Sequence, residues 1–165
     1  MVISSKAKTI KQSDIRFAFT MIEIVFVIVI LGILAAVAIP RFGASRDDAV
    51  IVKGKSQVAS IRSGIALLKS KRLLEGNVTA PQELDGASTA EGQNLFSGGA
   101  NGNILEYPLL SKNADGSWMK TSANTANPIT YTYRMMGRTV GFDYNKTSGM
   151  FTCDTSNADC VDLSQ

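Results

Sequence analysis

The sequence contains no histidine. That absence excludes histidine-based triads, histidine general acid–base chemistry and most zinc sites. Cysteine is almost as scarce: Cys153 and Cys160 are the only two. Metal sites prefer closer pairs and more ligands, so a small disulfide loop is the expectation, which requires an oxidising compartment. Four prolines and a charged fraction of 19% do not describe a disordered chain. A strong field of one sign is missing too. Residues 1–18 carry Lys6, Lys8, Lys11 and Arg16 against Asp14, the whole of the net +3, and the remaining residues balance. The sequence pI of about 8.9 therefore reports the first residues and is poor support for nucleic-acid binding.

What the sequence does have is a long apolar run, Ile24 to Ile39, behind that basic segment. Two readings are open. As a secretory signal, the run would end in Ala36-Val37-Ala38, and a leader peptidase would release a soluble binding domain after Ala38. As a membrane helix, Phe19 to Ile39 would rise ~31 Å, enough for a hydrocarbon core of about 30 Å. The basic residues would then keep the N-terminus cytoplasmic. Glu23 favours the second reading. A carboxylate at membrane depth costs up to ~3 kcal/mol at the bilayer centre and less near the interface, and its presence at the head of the run suggests a specific partner. Snorkelling to the interface without one is the alternative.

Beyond Pro40 the pattern stays helical. Ile51, Gly54, Val58, Ile61, Ile65 and Leu68 recur at spacings of three and four and form one stripe. Asp47, Lys53, Lys55, Gln57, Ser60, Arg62 and Lys69 occupy the other faces, and Gly76 suits the C′ position after basic last turns. Pro40 removes one backbone bond and bends such a helix without ending it.

Ala18-Phe19-Thr20-Met21-Ile22-Glu23, the apolar run and Pro40 together resemble the N-terminal segment of type IV pilins and type II secretion pseudopilins. The resemblance covers residues 16–42 and weakens beyond them. It implies cleavage of a 1–18 leader between Ala18 and Phe19 by a prepilin peptidase, which also methylates the new Phe19 amine. It further implies that Glu23, Phe19 and Pro40 serve assembly, with Glu23 pairing the Phe19 amine of a neighbouring copy. Ala18 departs from the family's usual glycine, which bears on the rate of cleavage. The implied partners are the peptidase, other copies and related subunits, an inner-membrane assembly platform and the lipid bilayer. The implied location is a single pass through a bacterial inner membrane with a periplasmic C-terminal domain. No cofactor and no catalysis are expected, since no nucleophile–base or metal constellation appears. Small differences favour a pseudopilin over a fibre-forming pilin, and a minor or competence-type subunit stays open.

The expected organisation is a leader at 1–18, a transmembrane assembly helix at 19–40, its amphipathic continuation at 41–76 and a globular part at 77–165. The expected fold class is α+β and pilin-like: a long N-terminal helix packed on a small antiparallel sheet. Residues 77–128 read as long loops with one strand at most among apolar islands at 95–96 and 104–110. Trp118 reads as a packing anchor, with partner contact as its alternative. Residues 129–135 alternate as a strand, Met136-Gly137 turns, 139–144 alternate again, 145–149 turn, and 150–153 form a third strand.

Weaker features complete the inventory. Asp154, Asn157, Asp159 and Asp162 offer oxygens for calcium, as in some pseudopilins, but lack EF-hand spacing, and a solvated acidic tail is the simpler reading. Asn77-Val78-Thr79 and Asn145-Lys146-Thr147 are glycosylation sequons, each with an acidic residue two positions before the asparagine; chance is the simpler account. Lys69-Ser70-Lys71-Arg72 could touch DNA in an uptake system, although complementing the helix C-terminus accounts for it.

Overall fold

The computed structural model describes residues 19–86, 88–99 and 102–165, with backbone alone for 39–45. The chain forms two compact units, one ending at Arg41 and the other starting at Phe42. One helical assignment, α1 (Met21–Leu74), contributes to both and runs through Pro40.

In the first unit Thr20 caps α1. The Glu23 N–H donates to Thr20 Oγ1 at 3.3 Å and to its carbonyl oxygen at 3.1 Å, satisfying groups that the first turn leaves open. The residues that follow are largely isoleucine and valine, mediocre helix formers in water. Inside a bilayer, however, a helix is the one local structure that satisfies every backbone group. Met21–Ala38 is long and apolar enough to cross a membrane and is exposed among the described residues.

In the second unit α1 supplies one wall of the core. Gly54, Val58, Ile61, Gly64, Ile65 and Leu68 are buried, so the stripe read from the sequence faces inward, with Ile51 at its half-buried edge. The helix ends in a Schellman motif. Gly76 takes φ 81°, its N–H donates to Leu73 O at 3.0 Å, and Asn77 N–H donates to Arg72 O at 2.8 Å.

Six strands follow. β1 (Asn94–Leu95) and β2 (Leu109–Leu110) form a small antiparallel pair. β3 (Ser117–Lys120), β4 (Ile129–Met135), β5 (Arg138–Asn145) and β6 (Met150–Cys153) form an antiparallel meander in chain order. The last three strands and both of their turns match the alternation in the sequence. Met136 and Gly137 turn with φ 51° and 73°, the positive pair that a tight two-residue hairpin needs. The architecture is α+β: an apolar N-terminal helix and a small antiparallel sheet.

The sheet's inner face is aromatic. Trp118 lies between Phe96, Tyr133, Phe142 and Phe151, with ring centroids 5.1–6.0 Å away, and is 1% exposed. Its indole Nε1 donates to Gln57 Oε1 at 3.0 Å, so the anchor reading holds and a polar α1 residue supplies its partner.

Three elements differ from the expectation. Residues 77–128 contain β1, β2 and β3 rather than one strand, and the tail contains a second helix, α2 (Ala158–Ser164). β3 escapes pattern reading because Lys120 points inward beside Trp118, breaking the apolar alternation. α2 escapes it because only Cys160 and Leu163 of its residues are buried. Its cap is local: Asn157 Oδ1 accepts the Asp159 N–H at 2.9 Å.

Candidate functional site: the N-terminal helix and its carboxylate

With Thr20 as N-cap, Glu23 is the third residue of α1, and Thr20-x-x-Glu23 is a capping-box pattern that the sequence reading passed over. Phe19, Glu23, Ile24, Val27 and Ile28 line one shallow concavity on this end of the helix. Phe19 is 73% exposed, and the Glu23 carboxylate makes no hydrogen bond or ion pair among the described residues. A carboxylate in a first turn gains about 0.3–1 kcal/mol from the helix dipole. Burial at membrane depth costs up to ~3 kcal/mol. The dipole thus favours a carboxylate at this position, and a cation from outside the helix would add to that.

The other site residues read from the sequence fall as follows. Ala18 lies outside the described residues. Pro40 lies within the backbone of α1, its side chain undescribed. Cys153 and Cys160 form the expected disulfide, with Cα atoms 5.9 Å apart, tying β6 to α2. Two of the three aspartates of the calcium reading are engaged. Asp154 accepts the Ser156 N–H at 2.9 Å, which lowers its pKa, and Asp159 pairs with Arg138 at 2.9 Å. Among the described residues no three acidic or sulfur side chains converge as metal ligands.

Asn77 and Asn145 are exposed, and each side chain caps its own turn. Asn77 Oδ1 accepts from Thr79, and Asn145 Oδ1 accepts from Thr147 and Ser148. The basic cluster near the end of α1 is structurally employed. Lys69 donates to Ser148 O at 3.0 Å, Lys71 approaches Glu75, and Arg72 donates to Thr79 Oγ1 at 2.9 Å. Upstream, Lys53 donates to Gly116 O at 2.6 Å. Arg62 donates to Phe151 O and Ser164 O, both at 3.1 Å, capping backbone of β6 and α2. Lys53, Arg62 and Lys69, read from the sequence on the other faces of α1, thus tie the sheet and its turns to the helix.

One buried polar group had no counterpart in the sequence reading. Lys120 and Asp85 are both fully buried and 2.6 Å apart. The Tyr131 hydroxyl donates to Asp85 at 2.9 Å; burial, reinforced by that carboxylate, raises the phenol's pKa well beyond its ordinary range. Thirty-five residues separate Lys120 from Asp85, so no local pattern signals the pair.

An apolar N-terminal helix and a small antiparallel sheet that packs on helix are the pilin-like arrangement. Over 49 residues, 30% of its length, the chain is 45% identical to the type IV narrow pilus major component PilA5 of Thermus thermophilus. The chain spans 42% of the length of that relative. This similarity supports the type IV pilin family. No protein-family profile and no solved structure matches the chain.

Proposed function

We propose that this chain is a structural subunit of a filament of the type IV pilus or secretion-pseudopilus kind, with no chemistry of its own. The observation that carries the reading is the apolar stretch Met21–Ala38 with a single carboxylate in its first turn and, among the described residues, no cation paired with it. In the proposed life cycle, a prepilin peptidase cuts between Ala18 and Phe19 and methylates the new amine. The 19–40 segment holds the subunit in the inner membrane while the remainder folds on the periplasmic side. An assembly platform then packs the apolar helices of successive copies together.

Glu23 acts at that step. Cleavage creates an ammonium on Phe19, methylation keeps its charge, and Glu23 of a neighbouring copy neutralises it in low dielectric. The pair also penalises wrong axial registers between otherwise uniform apolar helices. Calcium, sequon glycosylation and DNA contact are not needed for this role.

The test is incorporation into filaments. Glu23→Val should leave the second unit folded and leader cleavage intact, yet lower sharply the fraction of processed subunit recovered in sheared or crosslinked filaments. Glu23→Gln should fail similarly, because an amide cannot neutralise an ammonium. Normal assembly by both variants would overturn the pairing role.

A further inference from the structure

Among the described residues Lys120 is the one buried lysine, 1% exposed at the end of β3. Three oxygens converge on its Nζ: Asp85 Oδ1 at 2.6 Å, Gly86 O at 2.8 Å and, in direct contact, Asn124 Oδ1. Nζ therefore stands beside Asn124 Cγ, an electrophilic carbon. The same amide is held from its other end, where Nδ2 donates to Asp85 O at 2.9 Å. The second Asp85 oxygen is oriented by the Tyr131 hydroxyl at 2.9 Å and the Phe96 N–H at 3.3 Å. Aromatic rings line the site: Tyr131 lies 6.0 Å from Nζ, and Phe96 packs on Tyr131 at 4.8 Å.

As plain stabilisation a dry ion pair gains little, because desolvating two charges offsets their attraction. Moving one proton from Nζ to Asp85 removes both charges. It leaves a neutral amine, a competent nucleophile, against an amide carbonyl with a carboxylic acid alongside. From this geometry we infer that Lys120 and Asn124 join through an intramolecular isopeptide bond, with Asp85 as the proton carrier.

The step balances without a co-reactant. Nζ attacks Asn124 Cγ, forming the N–C bond as the carbonyl π pair moves onto Oδ1. Nζ then gives up a second proton. The Cγ–Nδ2 bond breaks as the oxygen pair returns, and Nδ2 departs with both protons as ammonium. Asp85 is ionised again. One amine and one primary amide become a secondary amide, and the new bond ties the end of β3 to the connection leading into β4.

Peptide mass spectrometry of the full chain, extracted in detergent, denatured and digested with trypsin, tests this. Trypsin cuts only after an unmodified lysine or arginine. The expected product is a single peptide of residues 113–134, lighter than its sequence by one ammonia, with fragmentation placing the branch between Lys120 and Asn124. Asn124→Asp should give the same product mass through loss of water, whereas Asp85→Asn should restore cleavage after Lys120 at full mass. Cleavage after Lys120 in the unsubstituted protein overturns the inference, whether the 121–134 peptide has full mass or has lost ammonia by cyclising on its own backbone. A branch to Asp85 with loss of water overturns it too. The unsubstituted protein decides the question even if a variant fails to fold.

Discussion

Replacing Gly64 by alanine should destabilise the second unit, although alanine is the better helix former. On α1 an alanine Cβ at this position would stand 2.2 Å from Ile104 O, 2.8 Å from Ile104 Cγ2 and 2.9 Å from Ile104 C. Two of those three atoms are backbone and cannot swing aside as a side-chain tip would. Ile104 is itself buried, and the adjacent Leu105 N–H is bonded to Phe96 O at 3.1 Å. Helix propensity favours alanine by about 1 kcal/mol. Overpacking of this kind costs about 1–3 kcal/mol. Retreat of the 104–105 segment also weakens a hydrogen bond with a net value of about 1 kcal/mol. The clash wins, leaving a loss of roughly 1–3 kcal/mol. The only tryptophan, Trp118, packs on Phe96 and is the reporter. Its fluorescence during urea unfolding of the detergent-solubilised chain should show a lower midpoint at unchanged slope. Gly32, with nothing within 4 Å, is the control, and Gly32→Ala should leave that midpoint in place. Gly54→Ala should cost less than Gly64→Ala, because the three atoms nearest its Cβ all belong to the side chains of Leu163 and Tyr133. A Gly64→Ala protein as stable as the parent would refute the reasoning.

Three further outcomes are expected. Thiol labelling of the denatured, unreduced protein should find neither Cys153 nor Cys160 free, and reduction should cost roughly 2–3 kcal/mol from the chain entropy of so short a loop; reaction of both thiols would contradict this. Burial pushes the phenols of Tyr133 and Tyr144 from 10.0 up to about 12, with Asp115 adding to the rise at Tyr133 and Arg72 opposing it at Tyr144. Because the fold favours the neutral phenols, their contribution is intact below pH 10 and lost as pH climbs towards 12; unfolding free energy that stays level across that window would count against the burial account. Mass spectrometry of native protein extracted from membranes should find a chain beginning at methylated Phe19, and an N-terminus at Ile39 would instead support release by signal peptidase.

Much of the fold is carried by local periodicity, and those parts were legible residue by residue. A run of apolar side chains at 24–39 makes a membrane-length helix wherever lipid is the solvent, since only internal hydrogen bonding satisfies its backbone there. Spacings of three and four between Ile51 and Leu68 define a face, and strict alternation through 129–135 and 139–144 defines two strands, because side-chain direction follows the backbone repeat. The Thr20-x-x-Glu23 pattern was equally local, and its capping geometry was there to be read.

Tertiary structure alone decided which polar groups enter the interior. Lys120 is by composition a surface residue, and it is buried because Asp85, Gly86 and Asn124 are brought to it by a chain path that no spacing encodes. Gln57 looks solvent-facing until the Trp118 indole needs an acceptor, and Gly64 looks like a flaw in a helix until Ile104 closes on it. Periodicity is a property of neighbours along the chain. Pairing of desolvated polar groups, and the space left by an absent Cβ, belong to neighbours across it.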